Sequence, residues 1–258
     1  MGAPTRYNES MKILQLNAWT GRIKYNIVNF IKNNDFDVIC LQEAVWTEDD
    51  GEELEYFFAS LRRIQQASGL SYVEKASHWG ISLGGKSVER VEQGNVILSR
   101  FPIKKAEIRE ISGVYDERFM SNADEVNNQL YTAIKVELEN GLTVLNYHGF
   151  WRNQPMGDEV STECMKRVAE MIKGVDGPVV MCGDLNLVYE APAMRELDFL
   201  HDLTHDFGVK NTLVKLKVKN DVACDHILVN DRVKVNSFAV LSNEMVSDHM
   251  PLVADIEI

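Results

Sequence analysis

Several short motifs place residues able to handle a proton, a hard cation or a phosphate oxygen at the ends of apolar runs. Gly183-Asp184-Leu185-Asn186 closes the run Pro178 to Cys182. A carboxylate and a carboxamide two apart, just past a buried strand, can both point into one cleft. There one orients an attacking water while the other donates to an oxyanion; the plainer reading is an Asp-Leu-Asn turn that caps the strand. Ser247-Asp248-His249-Met250-Pro251 precedes the last apolar run. Asp248 suits a hard cation and His249 suits proton transfer or phosphate contact, against a turn cap and an ordinary loop histidine. Leu41-Gln42-Glu43 ends another run, where an acid costs less if it meets a metal and is otherwise an exposed strand-end Glu. Leu16-Asn17 and Asn146-Tyr147-His148 end two more. Asp225, between Cys224 and His226, opens the run Ile227 to Val229; a charge there wants a buried partner, unless it is a surface turn acid.

The elements needed to position these residues alternate short buried strands with amphipathic helices. Lys12 to Ala18 reads as a strand, Arg22 to Asn33 as a helix with Ile23, Ile27, Phe30 and Ile31 at helical spacing, and Asp37 to Gln42 as a second strand. Glu52 to Gln66 reads as a helix with Leu54, Phe57, Phe58 and Leu61 inward. Residues 70 to 140 read as strands and turns, including Asn95 to Ser99 and Leu130 to Leu138. The opening pattern then recurs: Leu142 to His148 a strand, Glu159 to Lys173 a helix, Pro178 to Gly183 a strand. Val222 to Val229, Val233 to Leu241 and Leu252 to Ile258 complete the strands. In both halves a strand ends in a polar residue (Asn17, His148) and, after a crossover helix, a second ends in an acid (Glu43, Asp184). Right-handed crossovers put both strands of each unit in one sheet with their carboxyl ends at the same edge. Two such sheets packed face to face gather four polar strand ends at one rim, where ligand sites of α/β proteins are expected. Ser112 to Gln129 is long, polar and unpatterned, the profile of a functional lid.

The 258 residues carry 27 Lys+Arg and 39 Asp+Glu, a net charge of −12. Hydrophobic residues at 45% and charged residues at 26% exclude disorder and fibrous repeats. The apolar runs are far too short to cross a bilayer, so no membrane insertion is expected, and Met1 to Ser10 carries no apolar signal core. Cys40, Cys164, Cys182 and Cys224 show no Cys-x-x-Cys spacing and read as reduced core thiols, which points to the cytoplasm. The acidic balance works against passive binding to nucleic-acid phosphates, although bound divalent cations can supply the missing positive charge. No linker rich in Pro, Gly or Ser divides the chain. One catalytic domain over 1–258 is expected, with 1–11 as a flexible N-terminal segment.

Taken together and in order, these motifs closely resemble those of the endonuclease/exonuclease/phosphatase superfamily, which includes pancreatic-type deoxyribonucleases, abasic-site endonucleases, neutral sphingomyelinases and inositol-polyphosphate phosphatases. The matches run from Asn17 and Glu43 through His148 to Gly183-Asp184-Leu185-Asn186, Asp225 and Ser247-Asp248-His249; Gly94 to Pro102 also looks like the family's central strand. The resemblance implies a four-layer α/β/β/α sandwich of two packed mixed sheets and a Mg²⁺- or Mn²⁺-dependent phosphoesterase. By the same resemblance Glu43 is the main metal ligand, helped by Asn17 and Asp248, and Asp184 and Asn186 position the attacking water. His249 paired with Asp225 contacts the phosphate and aids proton transfer, and His148 holds the other non-bridging oxygen. His226 stands where many members have an aromatic residue, and Cys224 where Arg or small residues are frequent, so the pocket wall is expected to differ.

Three of the four tryptophans flank motifs: Trp19 after Asn17, Trp46 after Glu43 and Trp151 after His148. Trp19 and Trp151, with Asn153 beyond, are candidates for substrate contact through stacking on nucleobases or other flat groups; ordinary packing is the alternative, favoured at Trp46. No basic stripe accompanies them, so a short or single-stranded nucleic acid or a nucleotide fits better than a long duplex, and no protein partner is implied. The reading is therefore a metal-dependent phosphodiesterase of nuclease type. Its rivals are a phosphomonoesterase on a soluble phosphorylated metabolite and a non-catalytic scaffold of the same fold. The scaffold would be expected to lack some of Glu43, Asp184, Asn186, Asp248 or His249, and all are present.

Overall fold

The computed structural model describes residues 10–48, 52–83, 89–117, 129–214 and 221–258. In chain order, β1 (Met11–Asn17) crosses through α1 (Lys24–Lys32) to β2 (Val38–Trp46). There follow α2 (Glu52–Phe57), α3 (Leu61–Ser68), β3 (Tyr72–Leu83), β4 (Glu89–Ser99), β5 (Ile103–Ser112), β6 (Asp116–Glu117), β7 (Tyr131–Leu138) and β8 (Thr143–Tyr147). The second crossover runs through α4 (Glu159–Ile172) to β9 (Val179–Asp184), and a 3₁₀ helix (Pro192–Leu197), β10 (His201–Asp202), α5 (Leu203–Asp206), β11 (Asp225–Val229), β12 (Lys234–Val240) and β13 (Leu252–Glu257) complete the chain. The strands form a seven-stranded sheet, β12-β13-β1-β2-β4-β3-β6, and a six-stranded sheet, β10-β11-β9-β8-β7-β5. β1 is parallel to β2 and β8 to β9, as the two crossovers require.

Three apolar clusters mark the three interfaces of a four-layer sandwich. Leu14, Leu16, Ile39 and Leu41 pack beneath Ile27, Phe30, Ile31 and Ile64 of the helices on one outer face. Leu145, Tyr147 and Met181 pack beneath Met165 and Val168 of α4 and Met194 of the 3₁₀ helix on the other. Between the sheets, Ile13, Val38, Cys40 and Ile97 meet Ile134, Val144, Val180, Cys182 and Ile227. All four cysteines are buried and free.

Because side chains alternate faces along a strand, inward positions can be followed upward from this central layer. β1 continues from Ile13 to Gln15 and Asn17, β2 from Cys40 to Gln42, β8 from Val144 to Asn146, and β9 from Cys182 to Asp184. β11, antiparallel to β9, contributes Asp225 opposite Asp184. The central layer thus turns from apolar to polar toward the strand carboxyl ends, and Gln15, Gln42, Asn146 and Asp225 are all fully buried.

The structure departs from the sequence patterns in identifiable places. Glu52 to Gln66 is two helices, because Ser60 caps α3 by accepting from the Arg63 backbone N–H. The break docks Ala59 on Gly21, where a Cβ would lie 2.6 Å from the Ala59 carbonyl oxygen. Phe57, expected inward, is 58% exposed in consequence. β2 runs on to Trp46 through a bulge in which Gln42 and Glu43 together oppose Asn95 of β4. β11 begins at Asp225 rather than Val222, since Thr212 takes the preceding residues, donating its backbone N–H to the Val222 carbonyl and accepting the Cys224 N–H on its hydroxyl. The expected lid lies largely outside the described residues; at its margins Trp79 pairs with Asp116 and Val114 with Gln129.

Candidate active site

Four non-glycine residues have left-handed backbone among the described residues: Trp19 (φ 45°), Thr20 (φ 55°), Glu43 (φ 51°) and Asn186 (φ 54°). Trp19, Thr20 and Asn186 lie just past the carboxyl ends of β1 and β9, and Glu43 lies at the bulge within β2. Such conformations cost of order 1 kcal/mol or more each and persist where the surroundings fix them. At Glu43 the cause is the bulge, which turns the side chain into the cleft while Gln42 stays in the buried layer.

Asn17 ties the rim together. Its amide nitrogen donates to Glu43 Oε1 at 3.3 Å and to Asp184 Oδ2 at 3.0 Å, and its Oδ1 accepts the Trp19 backbone N–H at 3.0 Å. The Ser247 hydroxyl donates to the Asn17 carbonyl oxygen at 2.7 Å, fixing the Ser247-Asp248-His249 turn over the end of β1. Asp184 Oδ1 accepts the Asn186 backbone N–H at 3.0 Å, and the Asn186 amide nitrogen donates to the Gly149 carbonyl at 2.9 Å, leaving its carbonyl end for a water.

Behind Asp184 stands a buried acid–imidazole pair. His249 Nδ1 is hydrogen-bonded to Asp225 Oδ2 at 2.8 Å. The Nε2 atoms of His249 and His148 face Asp184 Oδ2 at 3.7 and 3.6 Å. Burial lowers the His249 pKa, but the charges of Asp225 and Asp184 outweigh it and carry it up to about 10, so the ring is an imidazolium at neutral pH. Burial likewise raises Asp184, yet the two histidines and the Asn17 amide hold it below the usual carboxylate range. Asp225 is raised by burial and, despite the His249 charge, by Asp184. Three donors still keep it an acceptor: His249, the Thr212 hydroxyl at 2.7 Å and the Gln15 amide at 2.9 Å.

Sequence reasoning passed over what supports this pair. The Gln42 amide nitrogen donates to Gln15 Oε1 at 2.8 Å and Asn146 Oδ1 at 2.6 Å, and the Asn146 amide donates to the carbonyls of Leu41 and Val96. A polar ladder thus crosses both sheets beneath the cleft, ending on Asp225. His78, the extra residue of a bulge in β3, lies fully buried with its ring 5.8 Å from that of His148; burial and the His148 charge lower its pKa to about 3, so it is neutral. The visible signal was the alternation: Gln15 and Gln42 occupy inward positions two beyond Ile13 and Cys40.

The candidate substrate residues divide. Trp46 is buried and packs in the core, with Lys75 over its ring. Trp19 is half-buried with Arg22 stacked on it at 5.1 Å. Trp151 is 36% exposed and Asn153 is exposed. His226, expected in the pocket wall, faces away from the cleft: alternation that points Asp225 inward turns His226 to the outer face, where it is fully buried. Cys224 does lie at the site, and burial with the neighbouring carboxylates holds its thiol well above its ordinary pKa.

Asp184, Cys224, Asp225 and His249 are close enough to one another to suggest a metal centre. That cluster is a poor cage, because the carboxylates are already hydrogen-bonded on both oxygens and the thiol is held protonated. Glu43 fits better. Among the described residues its oxygens receive only long bonds, from Asn17 at 3.3 Å and Gln93 at 3.5 Å. Asn17 bonds to it directly and Asp248 lies on the turn held over the end of β1, so their side-chain oxygens could join it in an all-oxygen donor set of the kind Mg²⁺ prefers.

The sequence profile of the endonuclease/exonuclease/phosphatase family matches residues 14–249. The chain belongs to this family. Family members are phosphoester hydrolases and generally use divalent metal ions. Similar solved structures include a family protein from Leptotrichia buccalis (19% identity, TM-score 0.67, covering 96% of this chain and 100% of that one). The catalytic domain of human Nocturnin with bound sulfate is 15% identical, with a TM-score of 0.65 over 96% of this chain and 93% of that one. The Bacteroides thetaiotaomicron mannosyl-6-phosphatase is 14% identical, with a TM-score of 0.64 over 96% and 100%. At these identities the likeness is one of fold. No curated protein matches the chain in sequence. Among the described residues no helix is long and apolar enough to cross a membrane.

One consequence for stability concerns His226. Its Nδ1 meets Asp202 Oδ2 at 2.7 Å and its Nε2 the Leu187 carbonyl at 2.8 Å. Burial lowers its pKa, but Asp202, the Leu187 carbonyl and neighbouring Asp225 raise it to about 8 from an ordinary 6.5. A raised histidine contributes stability fully below pH 6.5 and loses it as pH climbs through about 8. The difference is worth about 2 kcal/mol. His249, raised to about 10, loses stability over the same interval in both proteins, so urea unfolding at pH 6 and pH 9 should show the wild type losing about 2 kcal/mol more than His226→Gln; an equal loss in both would assign it elsewhere.

Proposed function

We propose that the protein is a divalent-metal-dependent phosphodiesterase of nuclease type, acting as one catalytic domain over residues 1–258. The observation that carries this reading is Asp184 held between two histidines, one an imidazolium backed by Asp225, beside the cation-ready Glu43. Mg²⁺ or Mn²⁺ held by Glu43, Asn17 and Asp248 would neutralise charge on the phosphate and polarise it for attack.

The remaining roles fall to the chain itself. Asp184, an anion at neutral pH, accepts a hydrogen bond from the attacking water, and the Asn186 carboxamide oxygen fixes that water's direction. The His249 imidazolium stabilises charge building on a phosphate oxygen, and His148 donates to a second oxygen. Since Asp225 and its ladder are already in place, little reorganisation is needed as charge develops. Against the non-catalytic scaffold reading stands the presence of every residue that such a scaffold would be expected to lose: Glu43, Asp184, Asn186, Asp248 and His249.

For substrate, exposed Trp151 and half-buried Trp19 favour a leaving group with a flat ring, such as a nucleotide or short single strand. Trp151→Ala should lose about 1–3 kcal/mol of binding on base-containing diesters, with a smaller loss at Trp19→Ala, and little on a small diester lacking a flat group. Equal losses on both substrates, or a large fall in Tm, would assign these rings to packing. The experiment that tests the function compares a model diester with a model monoester under Mg²⁺ and Mn²⁺. Preferential monoester cleavage would replace this reading with that of a phosphomonoesterase, the activity printed for the mannosyl-6-phosphatase neighbour; cleavage of neither would remove the enzymatic reading.

A further inference from the structure

His226 has no part in the chemistry above, yet both nitrogens of its ring are engaged. Its ring is fully buried. One nitrogen meets the Leu187 carbonyl, which can only accept, so that nitrogen carries a proton. The other meets Asp202. Asp202 is itself anchored, its other oxygen accepting the backbone N–H groups of Thr204 at 2.9 Å and His205 at 3.4 Å, while the Thr204 hydroxyl donates to the Asp225 carbonyl at 3.0 Å.

Leu187 follows Asn186, and the loop around it is pinned at each step. Leu185 N–H donates to the Cys224 carbonyl at 2.8 Å, Asn186 N–H to Asp184, and Val188 N–H to the Pro155 carbonyl at 2.9 Å. The Leu187 carbonyl on His226 is the tie on the far side of Asn186 from Asp184, and Asn186 is the residue held in the left-handed conformation. We propose that His226 is a positioning residue: braced by Asp202, it grips the Leu187 carbonyl and so sets the backbone that aims Asn186 into the cleft. The loop is thereby locked from beneath by a second acid–histidine pair, on the opposite face of β11 from Asp225 and His249. The raised pKa of His226 agrees with a ring protonated on both nitrogens, facing Asp202 of β10 and the Leu187 carbonyl, with the charge of Asp225 acting from the other face of its own strand. The proposal rests on Asn186 being a site residue.

Two substitutions separate positioning from mere stability. In His226→Gln the amide nitrogen can reach the Leu187 carbonyl while Asp202 is released; in His226→Asn the shorter amide can meet Asp202 while the carbonyl is released. Amide hydrogen exchange over residues 185–190 and steady-state kinetics on a cleaved diester are the readouts. His226→Asn should speed exchange about tenfold or more and cut kcat about 10-fold to 10²-fold with KM little changed. His226→Gln should leave both within about threefold even where its Tm falls. Exchange and kcat that track Tm in both variants would overturn the proposal. Should neither variant fold, the ¹⁵N spectrum of the wild-type histidines decides: a His226 Nε2 without a proton at pH 7 removes the tie, and a protonated one with slow exchange supports it. If the wild type cleaves no phosphoester, the exchange pattern still judges this inference and the proposed function alone fails.

Discussion

Excess chelator should abolish hydrolysis, and Glu43→Gln should reproduce most of that loss in the presence of Mg²⁺. The chain carries a net charge of −12, and its cleft brings Glu43 and Asp184 onto one amide, that of Asn17, beneath the turn bearing Asp248. Carboxylates so gathered repel unless a cation or an imidazolium intervenes. Among the described residues, Asp184 has its histidines, while Glu43 has only two long amide contacts. It is nevertheless held in a left-handed conformation that an ordinary strand residue avoids. Glutamine keeps the shape and removes the charge. The variant without metal should therefore melt no lower than the wild type, and only the wild type should be stabilised by added Mg²⁺, by about 2.7 kcal/mol at a hundredfold excess over Kd, with its Tm rising accordingly. Its kcat should fall about 10²-fold or more, on the scale of a lost electrostatic group. Full activity in excess chelator would sink the metal assignment, and an undiminished Mg²⁺-induced shift in Glu43→Gln would move the ion elsewhere in the cleft.

The residues behind that expectation are visible in the sequence; their geometry is not. Asn17, Glu43, His148, Asp184, Asn186, Asp225, Asp248 and His249 are legible because each sits at the end or start of an apolar run, and their order matches one family. The two crossovers are legible too, since strand–helix–strand spacing recurs. The bulge at Gln42-Glu43 is not, because it is set by how β2 meets Asn95 of β4, a contact between residues far apart in sequence. The same holds for the polar ladder: Gln15 and Gln42 look like interruptions of apolar strands until Asp225 and Asn146 arrive from the other sheet. The single helix expected over Glu52 to Gln66 fails for a local reason, the cap at Ser60, that the apolar periodicity masks. His226 shows a third kind of failure, in which resemblance places it on the pocket wall while simple alternation from inward-facing Asp225 sends it to the other face.

The Asp225–His249 pair yields the prediction that most directly tests the chemistry. His249→Ala and Asp225→Asn should each lower kcat by roughly 10²-fold or more, about 2.7 kcal/mol of transition-state stabilisation. Two independent groups would multiply to about 10⁴-fold, whereas the double variant should be little worse than either single, because groups that act as a unit lose their function once. The structure gives the unit its reason. Asp225 Oδ2 touches the ring at 2.8 Å, and its other oxygen is spent on Gln15, so Asp225 reaches the phosphate only through His249. Metal affinity should change little in either single variant, as Glu43, Asn17 and Asp248 are untouched. Asp225→Asn carries an added structural cost: its amide must present a donor either to Gln15 or to the His249–Thr212 side, and the Gln15 amide cannot turn without breaking its bond to Gln42. Its Tm should therefore fall more than that of His249→Ala, while the two kcat losses stay alike. Multiplying losses in the double variant would separate the two residues and return Asp225 to a purely structural part in the ladder.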